Sequence, residues 1–244
     1  MIPAKNKSAL HISSFVNYNT YAKVSRIRCA RDFDSRPGPG YRTKKDIHFF
    51  RSRHMYLFFD TETAGLPKNR KAPISNLKNW PRLVQIAWMQ YDPSGNLVNS
   101  KDYIIKPDGF TIPYSSTQIH GITTEKAIKE GVLVNRVLEE FSTAIDQADY
   151  IIAHNIDFDE KIVGAEFIRK NVPHRLFQKD RICTMKSTTE FCKIPGPYGY
   201  KWPTLAELHF ALFHTDIEET HNALVDVEVC AKCFFQLKNI GIIS

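Results

Sequence analysis

Residues 55–66 read Met-Tyr-Leu-Phe-Phe-Asp-Thr-Glu-Thr-Ala-Gly-Leu. The first five are apolar and aromatic-rich, which is the composition of a short buried strand. Asp60 and Glu62 stand two apart at its end, and side chains two apart on a strand share a face. Both carboxylates can therefore reach one cation from a rigid element. Two like charges this close are costly unless a cation sits between them. A solvated strand end entering the turn at Gly65-Leu66-Pro67 explains the pair at least as simply. Taken alone, Asp-x-Glu decides nothing, and its meaning depends on the rest of the chain.

Beyond this turn the pattern is regular. Leu83 to Tyr91 reads as a second strand, and Asp-Pro-Ser-Gly-Asn at 92–96 turns it into a third, Leu97 to Ile105, making a hairpin. Thr123 starts a helix, with Thr124 as a further cap candidate. Asn135 to Gln147 is amphipathic, with Val137, Leu138, Phe141 and Ile145 on one face. Tyr150 to Ala153 is a buried strand, and a helix runs from Asn155 to about Lys170. Further helices are expected at 204–213 and near 223–237. Strands first, then helix and strand in alternation, predict an α/β fold: a mixed sheet with helices on its faces. There is no internal repeat and no second core.

Apolar residues make up 43% of the 244-residue chain, enough for a core, and no apolar run approaches the roughly 20 residues that span a bilayer. Met1 to Leu10 lacks the apolar region of a secretory signal. The five cysteines form no paired zinc spacing. Cys230 and Cys233 fall within an apolar helical run and read as core residues one turn apart. Reduced thiols point to a cytoplasmic protein with no membrane association. The net charge of +7 is unevenly spread: residues 1–54 hold 12 Lys and Arg against 3 Asp and Glu, and the other 190 hold 21 against 23. Residues 1–54, with Arg-Pro-Gly-Pro-Gly-Tyr at 36–41, show no sustained periodicity. They are expected to be a disordered leader, or sequence upstream of a start at Met55, rather than an arm that tracks phosphates.

Three more residues complete the candidate set. Asp159, in His-Asn-Ile-Asp-Phe-Asp at 154–159, sits one turn into a helix that follows a buried strand, with Asn155 as its N-cap. One reading of Asp157, Asp159 and Glu160 is that they only complement the helix N-terminus. That reading is less adequate for a motif at the carboxyl end of a strand, where sites in open α/β sheets lie. His221 and Asp226 are five apart and on one helix would point in different directions. They converge only if His221 lies on the loop before the helix, which Glu218-Glu219-Thr220 allows. Histidine takes up a proton near neutral pH, as the loss of a proton from a hydrolytic water requires.

Order and context together resemble the DnaQ-like branch of the DEDD 3′–5′ exonuclease superfamily, in its histidine variant, with likeness to the epsilon subunit of polymerase III. The resemblance rests on Phe59 to Leu66, on His154-Asn155-x-x-Phe158-Asp159 and on His221-x4-Asp226, and it extends to Ile119-His120-Gly121-Ile122-Thr123. It covers Met55 to about Leu237 and makes 55–244 the exonuclease domain. Ala64 stands where the family usually has a second Thr. The resemblance implies a ribonuclease H-like, mixed five-stranded sheet whose first three strands are antiparallel. It also implies that Asp60, Glu62, Asp159 and Asp226 bind two Mg²⁺ or Mn²⁺ ions, with His221 as general base on the attacking water. Thr61, Thr63, Leu66, His120 and Asn155 would contact the terminal nucleotide. His120 is equally a candidate structural histidine.

The expected function is release of nucleoside monophosphates from the 3′ ends of single-stranded or frayed DNA or RNA. A polymerase is a candidate partner, although only Lys238 to Ser244 lies beyond the last predicted helix and offers no obvious docking tail. Two other readings stand beside it: a binding or scaffolding module with a degenerate metal site, and a phosphodiesterase of dinucleotides. Trp80 reads as an aromatic covering the sheet rather than a base-stacking group. Lys68-Asn69-Arg70-Lys71 reads as a solvated charge run. The aromatics of Pro195 to Trp202 are divided evenly between guiding a strand and capping the core.

Overall fold

The computed structural model describes residues 54–217 and 221–243. The basic leader expected over 1–54 lies outside the described residues except for His54, as do Glu218 to Thr220. Three strands, β1 (Tyr56–Thr63), β2 (Leu83–Tyr91) and β3 (Leu97–Ile104), form an antiparallel meander. The later strands β4 (Tyr150–Ala153) and β5 (Asp180–Cys183) add to it in parallel, giving the order β3-β2-β1-β4-β5. This is the mixed five-stranded sheet that was expected, with its first three strands antiparallel.

Between β3 and β4 lie α1 (Tyr114–His120), α2 (Thr124–Glu130) and α3 (Val134–Gln147). After β4 comes α4 (Ile156–Lys170), and after β5 come the short α5 (Thr184–Ser187) and α6 (Thr189–Cys192). A small hairpin of β6 (Pro195–Gly196) and β7 (Gly199–Tyr200) leads to α7 (Leu205–Phe213) and α8 (Ala223–Asn239).

Alternation along β1 divides the interior in two. Leu57 and Phe59 face a core with Val137, Leu138 and Phe141 of α3 and Ile162, Val163 and Phe167 of α4. Tyr56 and Phe58 face the opposite core with Leu208 of α7 and Val227, Cys230, Ala231 and Phe234 of α8. Covered on both faces, β2 is buried along nearly its whole length, as an apolar run without alternation requires. Trp80 is buried, with its Nε1 donating to the Pro73 carbonyl at 3.1 Å, so it covers the sheet as the sequence suggested.

Two devices fix the helices that matter for the site. Glu166 of α4, 1% exposed, accepts from Arg82 Nε at 2.8 Å and from Arg169 Nη1 at 2.9 Å, which ties α4 to the start of β2. The Asn222 side chain caps α8, accepting from the backbone N–H of Leu224 at 3.1 Å. Cys230 and Cys233 are buried core residues with free thiols. Among the described residues no helix is long and apolar enough to cross a membrane.

Candidate active site

The alternation that splits the core also builds the site. Asp60 and Glu62 continue the face of Tyr56 and Phe58, which packs on α8, and α8 carries Asp226 in its first turn. Thr61 continues the other face, which packs on α4, and its Oγ1 donates to Asp159 Oδ1 at 2.7 Å. One ligand atom from each of Asp60, Glu62 and Asp226 lies within 4.8 Å of the other two. Asp159, 3% exposed, joins them electrostatically.

Burial and mutual repulsion make the cluster a poor place for negative charge. Burial, then repulsion by Asp159, Asp226 and Glu62, pushes the Asp60 carboxyl well above the usual carboxylate range. Burial, then Asp226 and Asp159, pushes Glu62 up to about 8. Asp159 is raised chiefly by its burial, against the hydrogen bond from Thr61. Hard oxygen ligands converging at this spacing, and destabilised as anions, suit divalent cations.

The acidic first turns of α4 sort themselves by partner. Asp157 pairs with Lys186, and Glu160 takes two hydrogen bonds from Arg181, at 2.6 and 2.8 Å. Of these acids, Asp159 alone lines the cleft above the carboxylates, a space of about 790 Å³. Asn155 occupies the N-cap position in a left-handed conformation, φ 78°, but its side chain makes no capping bond and lines the cleft instead. His221 precedes α8 with φ 44°, on the loop as the spacing demanded, and also lines the cleft. The Asp226 backbone N–H bonds to the Asn222 carbonyl at 3.0 Å, so the helix begins only after His221.

The remaining residues named for nucleotide contact are placed differently. Thr61 lines the cleft, but its hydroxyl is committed to Asp159. Thr63 is buried and donates to the Gly65 carbonyl at 2.7 Å, and Leu66 is exposed; neither is among the cleft-lining residues. His120 ends α1 and is buried, also outside the lining. Its Nδ1 accepts from the Ile122 N–H at 3.1 Å, while its buried Nε2 has no hydrogen-bond partner among the described residues. Burial holds its pKa down, and His221 acts in the same direction.

Sequence reasoning passed over His154 as a working part of the site. Its Nε2 bonds to the Pro203 carbonyl and its Nδ1 to Thr184 Oγ1, each at 3.0 Å. Burial depresses its pKa to about 4, so the ring is neutral. With Nε2–H donating to a carbonyl, Nδ1 must accept from the Thr184 hydroxyl. The segment around Pro203 is thereby fastened to the end of β4, and Trp202 and Pro203 share the lining of the cleft with Phe158. The motif signalled His154, but nothing in the sequence signalled its partner.

The family model described as Exonuclease, of the RNase T type, matches residues 57–234. The chain belongs to the exonuclease family. This exonuclease is 30% identical over 180 residues to the PolC-type DNA polymerase III of Streptococcus mutans, covering 74% of the chain and 11% of the polymerase. A PolC-type polymerase of Mycoplasmopsis pulmonis is 30% identical over 121 residues, 48% of the chain and 7% of that protein. The exonuclease thus spans about a tenth of the length of these polymerases. Among solved structures it resembles Escherichia coli exonuclease I in complex with a dT13 oligonucleotide, with a TM-score of 0.62 and 19% identity over 76% of this chain and 41% of the other. A further exonuclease I structure gives a TM-score of 0.60 with 20% identity over 77% and 41%. The sheet and its flanking helices are of the ribonuclease H-like type.

Proposed function

We propose that the chain is a 3′–5′ exonuclease of the histidine variant that removes nucleoside monophosphates from single-stranded or frayed nucleic acid ends. The observation that carries this reading is the convergence of Asp60, Glu62 and Asp226 within 4.8 Å, beside buried Asp159. These carboxylates fit a pair of Mg²⁺ or Mn²⁺ ions, which when bound would stabilise the attacking and leaving oxygens of the phosphodiester. The chain's own residues do the rest. Thr61 holds Asp159 in one orientation. His221, presented from the loop rather than the helix, accepts the proton of the attacking water. Asn155 offers its uncapped amide to the nucleotide, and the unpartnered Nε2 of His120 supports a contact near Thr63 and His221.

Similarity to PolC-type polymerases and to an exonuclease I that binds an oligonucleotide supports single-stranded DNA as substrate and a polymerase as partner. The free thiols support a cytoplasmic setting. One observation favours a second reading, a phosphodiesterase of short substrates: the described residues lining the cleft include no Lys or Arg, whereas long polymers usually meet a basic groove. A panel of 5′-labelled single-stranded DNA, RNA and dinucleotides, sized with Mg²⁺, with Mn²⁺ and with chelator, separates the two. The exonuclease reading expects a metal-dependent ladder shortening from the 3′ end. Cleavage confined to dinucleotides would replace it with the second reading, and hydrolysis that survives chelation would refute both.

A further inference from the structure

We propose that Trp202 is a stacking platform for an unpaired base of the strand whose 3′ end enters the acidic cleft. This rests on the exonuclease reading and adds to it the residue that grips the substrate. Of the three tryptophans, Trp80 and Trp88 are 4% and 1% exposed, whereas Trp202 is 57% exposed on the cleft wall. It belongs to none of the three apolar core clusters. Its open face stands at the edge of the acidic site, where an unpaired base could lie against it.

The mount is rigid. On one side the Lys201 N–H bonds to the Ile194 carbonyl at 2.9 Å, closing the base of the β6–β7 hairpin. On the other, Pro203 is fastened by His154, and Thr204 forms a capping box with Glu207 that starts α7. The Lys186 ammonium lies 5.7 Å from the centre of the indole ring and steadies it from one side. The ordering that a binding surface must undergo is already complete here.

Charge argues for stacking over phosphate capture. Four carboxylates line this cleft and no Lys or Arg among the described residues does, so the walls themselves do not attract a polyanion. Cations at the carboxylates would hold only the phosphate that is cut, so away from that phosphate the walls of this cleft offer the strand apolar contact rather than positive charge. Stacking on an aromatic face gains about 10-fold in affinity per base and tolerates any base. Trp202 therefore favours unpaired ends over paired ones, because a base within a duplex has no free face to offer.

The tryptophan count makes the test direct. Fluorescence of the full chain, in an Asp226→Asn background that cannot turn over, is followed while adding an adenine-rich single strand or an abasic strand of the same length, with Mg²⁺. The exposed indole should be quenched by the first and not by the second. With otherwise native enzyme, Trp202→Ala should raise KM for the adenine strand about 10-fold, with the loss falling on KM rather than kcat. Trp202→Phe should recover most of it. Equal quenching by both strands, or a Trp202→Ala variant with unchanged KM, overturns the proposal while leaving the exonuclease reading intact. Should Trp202→Ala fail to fold, the quenching and the Phe variant decide. If wild type cleaves no strand at all, the exonuclease reading fails instead, and quenching alone decides whether the indole meets bases.

Discussion

Replacing Asp226 by Asn keeps its size and removes one charge from a cluster whose members already repel each other. Asp226→Asn should abolish hydrolysis while the chain folds, and the metal-free variant should melt above metal-free wild type at pH 8, because Asp60 and Glu62 lose a neighbour that disfavours their ionised forms. Activity near the wild-type level would remove Asp226 from the cation site. His221 makes a different prediction. His221→Ala should lower turnover about 10²–10⁴-fold while leaving cation binding intact. Turnover near the wild-type level would show that another group takes the proton. The backbone at His221 adds a residue-scale point: φ 44° is a left-handed conformation that disfavours side chains other than Gly and Asn. Holding a histidine there costs some local conformational energy.

At the scale of elements, His154 joins β4, α5 and the segment leading into α7. Its folded pKa, about 4, lies below the ordinary histidine value. The neutral ring therefore contributes stability that is present above about pH 6.5 and is lost as pH falls towards 4. His154→Leu fills the same space but leaves the Pro203 carbonyl and Thr184 hydroxyl without this partner. Urea unfolding at neutral pH should show a loss of about 1–3 kcal/mol, and the variant's stability should decline less between pH 6.5 and 4 than that of wild type. The same element shows where sequence reasoning stops. Elements with long patterns were legible: β1 and β2 from apolar composition, α3 from its single apolar face, α8 from the apolar helical run that holds Cys230 and Cys233. The carboxylates were legible because motif order carries them, and Asp159 was separable from Asp157. By contrast β5 is four residues, Asp-Arg-Ile-Cys, with an exposed first half, so neither alternation nor an apolar run marks it. The seven-residue α1 lacks a side-chain cap and ends on Gly121 alone. Trp202's placement depends on a hydrogen bond to Pro203 from a residue 49 positions away, which no local pattern encodes.

For the whole molecule, the acidic cluster and His154 act on stability with opposite dependence on pH. The folded values of Asp60, Glu62 and Asp159 are raised, so folding favours their protonated forms. Their contribution is fully present below about pH 4 and is lost as pH rises from there, through about 7 for Asp159 and about 8 for Glu62, while that of His154 is lost on acidification. Thermal melts in chelator should therefore fall as pH rises from about 5 to 8, because the three raised carboxyls outweigh the single histidine, and Mg²⁺ should raise the melting temperature much more at pH 8 than at pH 5.5. An equal Mg²⁺ effect at both values would mean that cations do not bind at this cluster. The sheet order has one more consequence. Asp60 and Glu62 lie on the first described strand, whereas Asp226 lies on α8, the last described helix, which packs directly on that strand. During synthesis the first two carboxylates leave the ribosome long before their counterpart, and until α8 docks the nascent chain has neither its histidine nor its full charge set. Whatever chemistry the cleft performs is therefore withheld from the nascent chain until α8 closes on β1.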